Sequence, residues 1–320
     1  MVKKRNFTKS ALFFLLILAI GFFCLFPFAQ MLSLSLKYSW DWGNPSWIPS
    51  KVNVEAYKEL LNIGSSLKQV PESVRQLLEE SPDLTSAQKQ AILSKYQSTG
   101  DVFPFLRYFA NSLLVAFLAS FISVCLAILG AYSFSRLAFR GRSIIQRGVL
   151  FVYMFGGILL LIPLYRIFAA SGLLATPAGT IASLVIIYVV QTLPVSLYML
   201  GNYFRTIPYS IEEAAMIEGL SRFKVIIRII IPLSISAIIT GIINCSMVAR
   251  NESIFASIFL KTYKGLYTLP IGLKTLFVSK NAIWDRIMAA SMLTAVPVMI
   301  LFMTIQKNLT GGLAAGGVKE

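Results

Sequence analysis

Histidine is absent from all 320 positions. That excludes the usual zinc ligand sets and every histidine-based catalytic triad. Only three cysteines occur, Cys24, Cys125 and Cys245. Each falls inside an apolar run at no metal-site spacing, so they read as small buried hydrophobes and not as disulfides or a metal site. Charge is scarce, at 13% of residues, where a soluble domain carries roughly 25%. Acid is scarcer than base, 14 Asp and Glu against 29 Lys and Arg, and positions 102 to 211 hold no carboxylate at all. No G-x-x-x-x-G-K-[ST] phosphate loop is present; Gly272-Leu273-Lys274-Thr275 lacks the upstream glycine and the Gly-Lys pair. No catalytic constellation is visible, so any ATP that drives this chain is expected to be hydrolysed on another subunit.

What the chain has in abundance is apolar surface: 56% hydrophobic residues and a mean hydropathy of +0.72. This is the composition of an all-α polytopic membrane protein. A net charge of +15 would also suit nucleic acid, but much of it clusters in short loops beside apolar spans, as the positive-inside rule expects, and no DNA- or RNA-binding module is seen.

Residues 1–36 hold a basic start (Lys3, Lys4, Arg5, Lys9) and an apolar run over 11–36. The run is long for a signal peptide and lacks a small-x-small cleavage site, so it reads as an uncleaved first helix with a cytoplasmic N-terminus. Residues 37–105 form a locally near-neutral loop, as an exported one is. It begins with an aromatic belt of Trp40, Trp42 and Trp47 and holds amphipathic helices expected over 71–80 and 85–97. Residues 106–306 form a core of five further spans, near 107–134, 148–170, 178–203, 233–260 and 287–306, each close to the roughly 20 residues a bilayer needs. Loop 135–147 has Arg136, Arg140, Arg142 and Arg147 without an acid and is placed in the cytoplasm; loop 171–177 is uncharged and placed outside. Segment 261–286 fits less well, being expected outside yet carrying Lys261, Lys264, Lys274, Lys280 and Arg286 against Asp285. Six spans with both ends inside are retained. Ala119, Ser123, Ala127 and Ala131 lie four apart and let a second helix approach closely, whether an internal neighbour or another subunit. Pro163 and Pro194, helped by Gly156 and Gly157, are candidate kinks.

Two polar stretches interrupt the spans. Ser210 to Pro232 has the Ser-x-x-Glu spacing of a capping box at Ser210 and Glu213, a break at Gly219, then a run with Phe223, Ile226, Ile227, Ile230 and Ile231 apolar and Arg222, Lys224 and Arg228 basic. Two short helices lying at the membrane surface follow from this. The fifth span holds Asn244, Ser246, Arg250, Asn251, Glu252 and Ser253. Charges at that depth cost about 2.5–3.5 kcal/mol each, so they face either a polar path or an interhelical network. Arg250 and Glu252 are two apart and on one helix do not pair. Tyr263, Tyr267 and Trp284 are candidate stacking platforms for sugar rings at the outer mouth, or interfacial anchors.

Glu213-Ala214-Ala215, three residues, Gly219, nine residues, Ile229, one residue, Ile231-Pro232 resembles the cytoplasmic signature loop of the permease subunits of binding-protein-dependent ABC importers, with Ile231 where the family has Leu. Asn111-Ser112-Leu113, Ala131 to Arg136 with Phe139 and Gly141, Trp284-Asp285 and the tail Gly311 to Lys319 resemble the smaller permease of the maltose-type pair. The resemblance implies the type I permease fold of six transmembrane helices, with residues 62–103 as an extracytoplasmic helical insertion between the first two. It implies a coupling loop over 205–232, with Ser210, Glu212, Glu213, Ala214, Ala215, Gly219, Arg222 and Pro232 serving contact with an ATPase, and a cytoplasmic tail, 307–320, whose Gly311, Gly312, Gly316 and Gly317 reach between ATPase subunits. The implied partners are a second homologous permease, two ATPase subunits that bind ATP and Mg, an extracytoplasmic solute-binding protein and membrane lipid. The implied substrate is a sugar or oligosaccharide, with Asn244, Arg250, Asn251, Glu252 and Trp284 as its candidate path, in a bacterial cytoplasmic membrane. The competing readings are a gradient-driven carrier, which needs intramembrane carboxylates, and a membrane scaffold. The acid-free stretch 102–211 counts against the first.

Overall fold

The computed structural model describes residues 7–63, 103–154, 157–278 and 284–316. Every regular element among them is helical. The helices are α1 (Phe7–Ser35), α2 (Glu55–Leu60), α3 (Phe105–Arg136), α4 (Arg142–Met154), α5 (Leu161–Ala170), α6 (Pro177–Thr206), α7 (Tyr209–Ile217), α8 (Arg222–Val225), α9 (Ile231–Leu233), α10 (Ile235–Asn251), α11 (Ile254–Phe259), α12 (Leu269–Val278) and α13 (Trp284–Gly316). The helices expected over 71–80 and 85–97, the bulk of the insertion, lie outside the described residues.

Three of these helices are long and apolar enough to cross a bilayer: α1 over Phe13–Ser35, α3 and α6. Two bent pairs raise the number to as many as five, Arg142–Met154 with Gly157–Ala170 at 85° and Arg222–Leu233 with Ile235–Asn251 at 83°. The six spans expected are therefore not reached among the described residues, and α13 is not one of those counted. The expected third span, 148–170, is broken by a 3-10 turn at Gly157–Leu160. Pro163 sits in the first turn of α5, where its missing N–H costs nothing, so the break precedes it instead of kinking a helix at it. Pro194 lies inside α6, which runs on past it to Thr206. The expected fifth span is likewise divided, α10 ending at Asn251 and α11 beginning at Ile254.

The chain divides into two compact units, residues 1–106 with 273–298 and residues 107–272 with 299–320. In the first, the end of α1 is tied to the loop that follows. Ser33 Oγ donates to the carbonyl of Trp47 (2.6 Å), and Ser35 and Tyr57 share a hydroxyl hydrogen bond (2.6 Å). The buried Lys37 donates to the carbonyls of Asn44 and Ser46 (2.8 and 2.6 Å). Asp41 accepts from the backbone N–H and hydroxyl of Ser50 and from the Asn44 amide. These bonds, the Ser50 N–H first, hold the Asp41 carboxyl below its ordinary range, with burial opposing and the nearby Lys37 charge assisting. Arg286 pairs with Glu59 in the same unit.

In the second unit α3 is the central strut. Ala119, Ser123, Ala127 and Ala131 are all fully buried within the chain, so the four-residue stripe is an internal seam. It faces α6 and α10: Ser123 accepts from Thr192 Oγ1 at 2.9 Å, and a Cβ on Gly130 would lie 3.1 Å from Leu197. Apolar burial gives helices little drive to associate in lipid, so close packing of small residues carries the contact. Cys245 is buried against Ser196 at 3.1 Å. Cys24 and Cys125, expected to be buried, are exposed on this chain, because an apolar residue on a membrane helix has no reason to turn inward. At the first end of α3, Asn111 donates to the carbonyls of Gly265 and Tyr267 (3.0 and 3.1 Å), and Ser112 Oγ accepts from Leu269 N–H (2.7 Å).

Candidate functional site

The signature stretch forms at the other end of α3. α7 begins at Tyr209, directly after Pro208, and no side chain caps it. The capping box expected at Ser210 and Glu213 is not made. Proline fixes the extended residue ahead of the helix, which puts Ser210 inside the first turn, out of capping position. α7 ends in a Schellman motif: Leu220 N–H donates to Ala215 O and Gly219 N–H to Met216 O, both at 3.0 Å. Gly219 takes φ +89° there, the left-handed conformation that glycine adopts without a Cβ clash. The break expected at Gly219 is thus present.

Along α7 successive side chains rotate by about 100°, and the two adjacent glutamates part company. Glu212 (0% exposed) and Ala215 turn inward. Glu213, Ala214, Ile217 and Glu218 face out, with Ile217 at 86% exposure. Ser210, Gly219 and Arg222 are exposed as well. Beyond Arg222 the helix widens into a π turn over Ile226–Ile230. Its i→i+5 spacing shifts the buried face to Val225, Ile226 and Ile230, and leaves Phe223 and Ile227, expected on the apolar face, exposed. Pro232 lies in α9, just before the 83° bend into α10.

What holds Glu212 is Arg136, the last residue of α3. Its Nε lies 2.6 Å from Glu212 Oε1, and its side chain is 9% exposed. Its Nη2 donates to the carbonyls of Phe204 and Ile207, both at 2.7 Å, at the end of α6. Its guanidinium also sits over the Tyr209 ring, 5.7 Å from the centroid. Tyr132, one turn back on α3, donates to Glu212 Oε2 at 3.1 Å. One guanidinium therefore joins α3, α6 and α7. Sequence reasoning placed Arg136 as a cytoplasmic positive charge and both Tyr132 and Arg136 within a stretch resembling the family, without a role for either; their i, i+4 spacing on one helix face was the available signal.

A cavity of about 690 Å³ opens in the same unit. Its walls come from α4, the 3-10 turn after it, α5, α6, α10 and α11, with Tyr153, Gln191, Asn244 and Glu252 as the main polar members. Gly157 lies beside the Gln191 amide; an added Cβ would make ordinary contact with its Nε2, at 3.4 Å. Glu252 lies beyond the end of α10 in extended backbone. It accepts from the N–H groups of Ile254, Phe255 and Ala256 (2.6, 2.9 and 3.1 Å) and from Tyr188 OH (2.7 Å), fixing the break before α11. Of the expected path residues, Asn244 and Glu252 meet at the cavity. Arg250 and Asn251 are not among its lining residues, and Trp284 opens α13 in the other unit. Gln191 and Tyr153 were missed. Tyr263 donates to Ala175 O (2.6 Å) and Tyr267 packs on Tyr108. α13 continues through Gly311, Gly312 and Gly316; Gly317 lies outside the described residues. Among the described residues no group of three or more His, Cys, Asp or Glu is placed to hold a metal.

An all-helical chain with apolar spans, presenting the exposed ridge of α7, is a polytopic membrane protein. Residues 123–314 match the family of the binding-protein-dependent transport system inner membrane component, and the chain belongs to that family. It is an inner-membrane permease subunit of the ABC importer class. The inner membrane ABC transporter permease protein YcjP of Escherichia coli is 48% identical over 218 residues, 68% of this chain and 76% of that protein. The trehalose/maltose transport system permease protein MalG of Thermococcus litoralis is 36% identical over 217 residues, 67% of this chain and 76% of that protein. The maltose/maltodextrin permease MalG of Escherichia coli is 28% identical over 319 residues, 99% of this chain and 97% of that one. The crystal structure of a bacterial ABC transporter involved in the import of the acidic polysaccharide alginate matches with a TM-score of 0.71 over 96% of this chain and 98% of that chain, at 18% identity, a likeness of fold.

Proposed function

We propose that this permease imports a sugar or oligosaccharide handed to it by an extracytoplasmic solute-binding protein, paired with a second homologous permease and driven by two ATPase subunits that bind ATP and Mg. The observation that carries the reading is the ridge of α7: Glu213, Ala214 and Ile217 are presented outward while Glu212 is clamped beneath them. A short helix with an exposed apolar residue and a flanking carboxylate suits a groove on a partner protein. The carbohydrate assignment rests on the names of the relatives, and the cavity beside Gln191 and Asn244 is this subunit's share of the path. Amide side chains on an apolar, aromatic-edged wall suit a polyhydroxylated ligand. In this reading both termini and the α7 loop lie in the cytoplasm, and residues 37–105 lie outside with the insertion.

Glu213→Lys tests the docking role. Glu213 is solvent-facing, so reversal leaves folding and membrane insertion intact. The expected result is loss of uptake in the host and loss of the co-purifying ATPase. Unchanged uptake with an unchanged ATPase content removes α7 from the coupling role.

A further inference from the structure

We infer that Arg136 is a positioning residue that carries movement of α7 into the wall of the cavity through α6. The inference rests on the coupling reading of α7 and adds the route by which that helix acts. Three contacts define it. Arg136 Nε grips Glu212 on α7 at 2.6 Å. The same guanidinium holds the carbonyls of Phe204 and Ile207 at 2.7 Å each, so it caps the end of α6. The upstream part of α6 then supplies Ile186, Ile187, Val190, Gln191, Thr192 and Val195 to the cavity. From Phe204 back to Val190 is 14 residues, or about 21 Å of continuous helix at 1.5 Å per residue.

The chemistry of the clamp favours transmission over mere anchoring. The guanidinium holds its charge beside Glu212 as an ion pair while its Nη2 donates to two carbonyls, so one group serves a carboxylate and two carbonyls at once. Tyr132 takes the second oxygen of Glu212 and the Tyr209 ring lies under the guanidinium, which leaves the group little room to turn. A displacement of α7 must break this set or drag the end of α6 with it. A lysine at 136 keeps the buried charge paired with Glu212 but cannot hold both helices.

The test uses the tagged chain purified from its host membrane with whatever subunits accompany it, then reconstituted in lipid nanodiscs. Cys24 and Cys125 are replaced by serine, since both are exposed, and a bimane dye is placed on Val190→Cys, which is 52% exposed. Two readouts are taken after adding ATP, Mg and orthovanadate: the nucleotide trapped per tagged chain, and the change in dye emission. With Arg136 in place both respond. In Arg136→Lys the ATPase content and trapped nucleotide stay at the parent level, because the outward ridge of α7 is untouched, while the dye response falls at least about fivefold, the lower end of ordinary coupling between sites. Tyr132→Phe, which removes one hydrogen bond and no charge, lowers the dye response less than Arg136→Lys does.

A full dye response in Arg136→Lys overturns the route. A dye response that falls only in proportion to lost ATPase subunit overturns it too, and reduces Arg136 to a structural anchor. Failure of the underlying reading looks different: a parent chain that arrives without an ATPase subunit, or that traps nucleotide with no dye change, refutes the coupling role of α7 itself.

Discussion

Glu212 and Glu213 are neighbours in sequence and have opposite fates. Glu212 is fully buried in an ion pair with Arg136 and a hydrogen bond from Tyr132, whereas Glu213 faces solvent. Removing one partner of a buried pair leaves an uncompensated charge and costs about 3–5 kcal/mol, while an exposed change falls within about 0.5 kcal/mol. Glu212→Ala is therefore expected to lower the thermal unfolding midpoint in detergent markedly, and Glu213→Ala to leave it near the parent value. A tryptophan-fluorescence melt of the three chains checks this, and equal midpoints would contradict the burial assignment. The signature spacing drew attention to both glutamates. It did not distinguish them, because the partner of Glu212 lies 76 residues upstream and local spacing carries no information about that contact. The same limit explains the capping box at Ser210: the spacing was present, but Pro208 takes the position ahead of the helix, two residues before Ser210.

At the scale of elements, the long apolar helices were legible and their breaks were not. Periodicity and length located α1, α3 and α6 closely. A run of apolar residues does not reveal that a carboxylate will turn back on three backbone N–H groups, as Glu252 does between α10 and α11, nor that a π turn will rotate the face of the α8 region. The small-residue stripe of α3 was legible as a seam, and only the packing against α6 decided that the seam is internal. The loop after α1 makes a separate prediction. Asp41 titrates below its usual value of 3.8 in the folded chain, so its bonds to Ser50 and Asn44 stabilise the loop above that pH. The contribution is lost as pH falls through the lower folded value. Tryptophan emission from Trp40, Trp42 and Trp47 should hold steady from neutral to about pH 4 and shift below it. Asp41→Asn should show the shifted spectrum at neutral pH and no further acid transition. An acid transition unchanged by that substitution would assign it to another group.

At the scale of the whole molecule, composition alone pointed to a membrane protein. The family followed from a loop of some twenty residues, and residues 123–314 match the family as a whole. The cavity was not legible, because its wall gathers polar side chains from distant positions such as Tyr153, Gln191 and Asn244. The proposed role of this chain is that of a mechanical intermediary, powered through α7 by a separate ATPase subunit. It is tested most directly by tagging the chain, extracting the host membrane in mild detergent, and identifying by mass spectrometry what is retained. The account predicts a second homologous permease and an ATPase, in a ratio of about one to one to two with the tagged chain, by the pairing of one ATPase with each permease. A chain that arrives alone, or only with copies of itself, would contradict it and favour a carrier driven by an ion gradient.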